Sequence, residues 1–476
     1  MDKKLFNNYI YNVLYRILIT ITPLITTPYI SRVLQADGTG VYGYTSSVTM
    51  LFTLFAALGF GTYGQRETAY RMDNIHERSV LFAEICIFRS VTTIIVLACF
   101  CLFSWNYKKY SAYLLPQSLT IASVMFDISW YYQGLENFRI TVIRNVIVKI
   151  SSIACVFLFV KKSEDLLLYI LIMSASMLIS NVCFFYNIQK YIVKVSFSEL
   201  HPTKHLKGSI EFFIPLISVE IYSHLDRIML GYMIPESVES GYYEQTRKIT
   251  TIIVGLITSI NNVMMSRISN LYANEKEDKI VAYYKRTFKF MLLIMVPICT
   301  GLIIISDSFV PWFFGDGYNK VSSLLKLSAF LILFMCVGNF AGVQFLIPTG
   351  QQNKMTKAYI VAATTNIIFN SFLIPHYASV GAMVASIIAE IISCVLQMRL
   401  LMKSEYKFNV FSGLWKYLLA ACVMASILLI VNYFVGMNGI IQTCVDVFFG
   451  GAVYLFIIVL LKDETFYMTY DLLRKR

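Results

Sequence analysis

Residues 12–47, NVLYRILITITPLITTPYISRVLQADGTGVYGYTSS, read as one membrane-spanning helix, a tight turn and the start of a second helix. The first helix carries a cation inside its apolar run, Arg16, and two prolines, Pro23 and Pro28. Each proline deletes a backbone donor and can bend the helix, a defect tolerated in a membrane when neighbouring helices satisfy the freed carbonyl. Arg32 stands where the helix leaves the hydrocarbon, and Asp37-Gly38-Thr39-Gly40 supplies turn chemistry for an immediate return. A kinkable helix with an intramembrane cation suits a transporter better than a scaffold.

The rest of the chain varies this unit. Of 476 residues, 57% are apolar and only 14% charged, with a mean hydropathy of +0.64, far from soluble composition. Apolar runs of about 18 to 25 residues, enough to cross about 30 Å of hydrocarbon as helix, recur about fourteen times. They are continuous rather than alternating, which excludes a closed barrel. The expected fold is therefore all-α and polytopic. Spans are expected near 9–30, 41–63, 80–103, 112–133, 139–160, 166–186, 209–233, 242–265, 287–306, 321–347, 358–375, 380–402, 414–434 and 440–461. The basic start Met1-Asp2-Lys3-Lys4 precedes a run too long, and too poor in small residues, for a cleaved signal peptide.

The net charge of +12 would suggest nucleic acid in a soluble protein, but its distribution points to a membrane. With both ends inside, cytoplasmic loops hold about 23 Lys and Arg and external ones about 6, the asymmetry that sets orientation. The basic stretches 187–208, 266–286 and 462–476 read as topology control and attraction to anionic headgroups. The ten cysteines are scattered through apolar runs without disulfide or metal spacing and read as small packing residues. His201 and His205 share a spacing of four but sit in what reads as a solvated basic loop, so no metal is expected there.

The spans group as six, six and two: a lobe over 1–190, a basic linker over 191–208, a second lobe over 209–402, and two extra helices with a basic tail over 403–476. Pro23-Leu24-Ile25 is echoed by Pro215-Leu216-Ile217, and Gly40-Val41-Tyr42 by Gly241-Tyr242-Tyr243. Two pseudo-symmetric six-helix lobes starting on one side of the membrane would be parallel repeats, with a substrate cavity between them. Chance similarity between apolar stretches stands beside that reading.

Charges inside the spans are the strongest pointers to a site, because a cation at mid-bilayer costs about 2.5 to 3.5 kcal/mol on insertion scales. Lys289, Arg399 and Lys416 lie near helix ends and can snorkel. Arg16, Arg89, Arg144, Lys149, Arg227, Arg247 and Lys248 lie deeper and require a wet cavity or a carboxylate partner. Glu84, Asp127, Glu211, Glu220, Asp226, Glu244 and Glu390 are available. Glu84 and Arg89 share a helix, and Asp127 could pair with Arg144 or Lys149. Glu220, His224, Asp226 and Arg227 share a later helix, and Arg247-Lys248 begins the next. Guanidinium groups grip phosphate oxygens as a fork and lysine adds a point charge, so an anionic phosphate headgroup is the ligand this surface would select. Asn261, Asn262, Asn339, Gln344, Asn366 and Asn370 read as interhelical hydrogen-bonding groups.

Five stretches resemble the bacterial polysaccharide flippases, transporters of lipid-linked oligosaccharide repeat units within the multidrug, oligosaccharidyl-lipid and polysaccharide exporter superfamily. They are PLITTPYISRVLQADGTGVYGY (23–44), LGFGTYGQRETAYRM (58–72), YYQGLENFRITVIRNVIVKI (131–150), DRIMLGYM (226–233) and QFLIPTGQQNKMTKAYIVAATTNIIFNSFLIP (344–375). Met265-Ser266-Arg267 lacks the proline usual there, and Gln35-Ala36-Asp37 departs from the usual glycine-containing turn. The resemblance implies two six-helix lobes with an added C-terminal pair, undecaprenyl-diphosphate-linked oligosaccharide as cargo, and alternating access. It also implies a cavity lined by the first, second, seventh and eighth helices. Arg16, Arg32, Asp226, Arg227, Arg247 and Lys248 then become first-choice binding residues, with Arg144 and Lys149 second.

No cofactor is expected, although H+ or Na+ could couple through Asp226 or Glu220. The expected setting is the bacterial cytoplasmic membrane, with membrane lipids, glycan polymerase and chain-length machinery as candidate partners, no nucleic acid, and a monomer. A multidrug antiporter of the same superfamily would favour carboxylates at the deep positions, where Arg and Lys are at least as numerous. A membrane glycan polymerase or ligase would normally present a sizeable external loop, and the longest here, Asp307 to Lys320, is roughly fourteen residues. Motifs with nucleophile, base or metal spacing are absent.

Overall fold

The computed structural model describes residues 3–273, 277–435 and 439–474. Every regular element among them is helical, as expected where the backbone must satisfy its own hydrogen bonds in hydrocarbon. The chain divides into two compact units, Met1–Gly241 and Tyr242–Arg476.

The first unit contains α1 (Lys3–Ala57), α2 (Phe60–Tyr70), α3 (Ile75–Asn106), the short α4 (Ser111–Leu114), α5 (Ser118–Met125) and α6 (Ser129–Gly134), then α7 (Phe138–Phe159), α8 (Leu166–Val182) and α9 (Leu206–Met233). As one straight rod, α1 would reach about 80 Å, far beyond a hydrocarbon core of about 30 Å. It is broken at Gln35, whose φ of 55° and ψ of −178° leave the helical region, so it supplies the first two spans. The turn expected over Asp37–Gly40 does not form: those residues are helical, and Gly38, Thr39 and Gly40 are buried. One left-handed residue suffices to break the rod, and Gly40 serves packing instead, because any Cβ there would strike the Ser237 carbonyl.

The fourth span, expected as one helix over 112–133, is segmented into α4, a 3-10 turn at Leu115–Gln117, α5 and α6. Asp127 lies in the last gap. Its Oδ1 accepts from Ser129 N at 3.0 Å, its Oδ2 accepts from Arg89 Nη2 at 3.0 Å, and its backbone oxygen accepts from Arg89 Nη1 at 2.6 Å. The partner of Asp127 is thus Arg89 on α3, not Arg144 or Lys149. Arg89 closes a backbone break that hydrocarbon would otherwise penalise.

The segment after α8 also departs from the solvated loop read from its composition. It carries 3-10 turns at Cys183–Lys190, Phe197–Glu199 and Pro202–His205 and is pinned to α3 by Glu84. The Glu84 carboxylate accepts from His201 N at 2.7 Å and from Lys204 Nζ at 2.8 Å, and it lies 2.8 Å from His205 Nε2. His205 Nδ1 is 2.7 Å from the Tyr63 hydroxyl, and His205 is buried. An acid on an apolar helix needs such compensation, so the basic segment folds onto it. Two apolar clusters complete the unit. One gathers Leu34, Tyr44, Phe100, Ile121 and Ile170; the other gathers Phe60, Ile85, Trp130, Tyr131 and Tyr132.

The second unit takes up α10 (Ser237–Ala273) from Tyr242, followed by α11 (Glu277–Phe314), α12 (Asn319–Asn339) with a π-helical extension Phe340–Leu346, and α13 (Gln352–Met402). It ends with α14 (Leu414–Val435), α15 (Gly439–Leu460) and α16 (Glu464–Arg474). Ala378, at φ 48°, breaks α13 as Gln35 breaks α1, giving the expected spans on either side. The C-terminal pair α14 and α15 packs on α11, around Met291, Met295, Tyr417, Leu428, Tyr454 and Ile458. Among the described residues nine helices are long and apolar enough to cross a membrane. Counting α1 and α13 twice and adding α9, α10 and the segmented fourth span gives about fourteen crossings.

Candidate functional site

In the first unit, α9 packs along α1, and helical spacing puts Glu220, His224 and Arg227 on one of its faces. His224 Nε2 is 3.6 Å from Glu220 Oε2, and its Nδ1 is 3.4 Å from Arg227 Nη1 and 3.3 Å from Ser47 Oγ of α1. Arg227 is half-buried and Asp226 is buried on another face. An acid, an imidazole and a guanidinium are thereby strung along a membrane helix against a buried hydroxyl. Such a string can hold an anion at Arg227.

In the second unit, Glu244, Arg247 and Lys248 follow one another along α10. Lys248 Nζ lies 3.8 Å from Glu244 Oε1, Glu244 is buried, and Arg247 and Lys248 are half-buried. Further along, Asn261 Nδ2 donates to Asn339 Oδ1 at 2.9 Å and Gln344 Nε2 donates to Asn261 Oδ1 at 2.8 Å. These amides tie α10 to α12 and its π-helical extension, the interhelical role read from the sequence. A cavity of about 670 Å³ with almost wholly apolar walls, including Ile298, Leu302, Leu428 and Leu455, lies between α11 and the α14–α15 pair.

The family description "Polysaccharide biosynthesis protein" matches residues 5–272, more than half of the chain. The chain belongs to the polysaccharide biosynthesis protein family. A second description, MatE, matches residues 213–372. A Shigella dysenteriae protein named as an O-antigen transporter is 22% identical over 382 residues, covering 79% of this chain and 95% of that protein. The Staphylococcus aureus capsular polysaccharide biosynthesis protein CapF is 25% identical over 216 residues, covering 43% of this chain and 53% of that one. Among solved structures, the lipid II flippase MurJ in an inward closed conformation superposes with a TM-score of 0.76 at 16% identity, covering 96% of this chain and 98% of that chain. An inward-facing multidrug resistance MATE transporter gives 0.59 at 11% identity, covering 80% and 97%. These likenesses show that the polysaccharide biosynthesis chain has the fold of that superfamily.

The residues singled out in this family member fall in different places. Arg227 meets His224 and Ser47, and Arg247 neighbours Lys248 on α10. Arg32 is exposed at the end of the first span, and Lys149 is half-buried on α7. Arg144 is built into the α7–α8 packing: it donates to Ser180 O and Asn145 Oδ1, donates to Asn181 Oδ1 at 3.1 Å, and lies 3.4 Å from the centre of the Phe184 ring. The Arg16 side chain lies outside the described residues. Ser47 was not anticipated. Its signal was weak, one hydroxyl of the run Thr45-Ser46-Ser47 on the second span.

Proposed function

We propose that this chain is a flippase that moves undecaprenyl-diphosphate-linked oligosaccharide repeat units from the cytoplasmic to the outer leaflet by alternating access, for cell-surface polysaccharide synthesis. The observation that carries the reading is Arg227, a half-buried intramembrane guanidinium on the α9 face shared with His224 and Glu220, in a member of this family. Arg227 of the first unit binds the diphosphate, with Arg16 and Arg32 assisting at the first span and Lys149 in a subordinate position; Arg247 and Lys248 are the cations that the second unit offers to the cargo. Bidentate contact with phosphate oxygens replaces water that the headgroup loses on leaving the aqueous phase. No covalent step is needed, because the protein only lowers the cost of carrying a charged, hydrated group across hydrocarbon. The polyprenyl tail stays in apolar surroundings, for which the walls of the α11, α14 and α15 cavity are suited. Asp226 and the Glu220–His224 pair are the groups through which H+ or Na+ would couple. The excess of cytoplasmic Lys and Arg supports placing both termini inside.

The test is the pair of substitutions Arg227→Ala and Arg247→Ala. Each removes charge-assisted bonds worth about 1.5 to 3 kcal/mol, so each should lower affinity for undecaprenyl diphosphate at least tenfold. Together they should abolish polymer export while membrane insertion and abundance stay unchanged. Normal export by the double variant would overturn the assignment.

A further inference from the structure

Two of the stretches that carry the family likeness, residues 58–72 and 131–150, meet where α2 packs on α6, and the α9 face does not account for them. There α2 and α6 touch through glycines. A Cβ on Gly64 would come within 2.7 Å of the Trp130 ring, and one on Gly134 within 2.7 Å of the Gln65 carbonyl oxygen. The missing side chains let the two helices approach closely at this crossing. Beside it lies a cavity of about 570 Å³, bounded by Gln65 and Arg66 of α2, Gln133 of α6, Glu136, Phe138 at the start of α7 and Phe212 of α9.

Arg66 is held in a set position. Its Nε and Nη2 donate to Glu67 Oε1 at 3.2 and 2.9 Å, and its guanidinium lies 4.8 Å from the centre of the Phe212 ring. Arg71 Nη1 donates to the other Glu67 oxygen at 2.6 Å, so two guanidiniums answer one carboxylate. The two amides are half-buried in the cavity wall. A primary amide presents a donor and an acceptor side by side, which suits vicinal ring hydroxyls, and an aromatic face suits the C–H face of a pyranose. The volume is that of a small-molecule site with a few polar groups among apolar ones. A bare phosphate would call for more cationic donors than this cavity offers, since Arg66 is the arginine in its wall and Glu67 already offsets it.

We propose that this cavity is a glycan subsite, taking one or two pyranose rings of the cargo headgroup. Gln65 and Gln133 read the ring hydroxyls, Phe138 stacks on the apolar ring face, and Phe212 backs Arg66. The assignment rests on the flippase reading and deepens it by locating selectivity for the sugar apart from the groups that hold the diphosphate. Under the proposed orientation the cavity lies at the cytoplasmic end, where the lipid-linked unit is offered.

The experiment compares two probes on the purified full-length protein in nanodiscs: undecaprenyl diphosphate without sugar, and undecaprenyl diphosphate bearing N-acetylglucosamine. The wild type should prefer the sugar-bearing lipid. Gln65→Ala with Gln133→Ala should erase that preference, a loss of about tenfold, while leaving the sugar-free lipid bound as before. Phe138→Leu, which keeps an apolar side chain and removes the ring, should erase part of it. A preference that survives both variants, or a wild type with no preference, overturns the subsite while the diphosphate reading stands. A wild type that binds neither lipid overturns both.

Discussion

Replacing Arg89 with Met should cost about 3–5 kcal/mol of stability, because it strands the Asp127 carboxylate in a helix break within the membrane. The guanidinium does two jobs there: Nη2 neutralises Oδ2 at 3.0 Å, and Nη1 satisfies the Asp127 carbonyl, freed by the break, at 2.6 Å. The Arg89 side chain is 4% exposed and that of Asp127 27%, so the guanidinium is held inside the fold at the break. Asp127→Asn preserves the cap on Ser129 N but strands the cation, at a cost of the same order, about 3–5 kcal/mol. The double variant Arg89→Met, Asp127→Asn carries neither charge and leaves only the carbonyl unsatisfied, about 1–3 kcal/mol. It should therefore be more stable than either single variant. SDS-titration unfolding of the purified protein, with resistance to proteolysis as a second readout, ranks the four forms. Costs that simply add in the double variant would refute the pairing and, with it, the account of the segmented fourth span.

Two further outcomes follow from particular residues. Burial holds the His205 imidazole below its usual pKa, so the folded state takes up a proton less readily than the unfolded chain, which does so as pH falls through about 6.5. This contribution to stability is complete above that pH and declines below it. Amide exchange over residues 197–205, corrected for the intrinsic rate, should accelerate between pH 7.5 and 5.5, and His205→Gln should flatten that dependence. Gln35→Gly and Ala378→Gly should each stabilise by about 1 kcal/mol, since both positions hold a left-handed φ that only glycine adopts freely. Ala382→Gly, inside the same α13 helix, should destabilise by about 1 kcal/mol when all three are compared by SDS-titration unfolding, and three equal shifts would contradict the reasoning.

The number and order of spans were legible because hydrocarbon imposes one rule, about twenty apolar residues per crossing, on every segment alike. The reversals were less so. Asp37-Gly38-Thr39-Gly40 looks like a turn because glycine permits one, yet the structure spends the strained conformation on Gln35 and uses Gly40 for close approach to Ser237. Glycine in a sequence signals either freedom of φ or absence of a side chain, and composition does not separate the two. The fourth span likewise reads as continuous because its break is stabilised by Arg89, 38 residues upstream.

The same distinction runs through the candidate site. Glu220, His224 and Arg227 could be placed on one face from their spacing, because the geometry within a helix follows from 3.6 residues per turn. Pairings between helices could not: Asp127 took Arg89, Glu84 took Lys204 and His205, and Arg144 took Ser180, Asn181 and the Phe184 ring. Each of these charges is compensated by a neighbour that also repairs a break or anchors a segment, so an intramembrane charge is not by itself a cargo contact. The Gln65–Gln133 cavity escaped the reading for the complementary reason. Neutral amides carry no insertion penalty large enough to stand out in an apolar run, and only the crossing of α2 with α6 brings the two side chains to one wall.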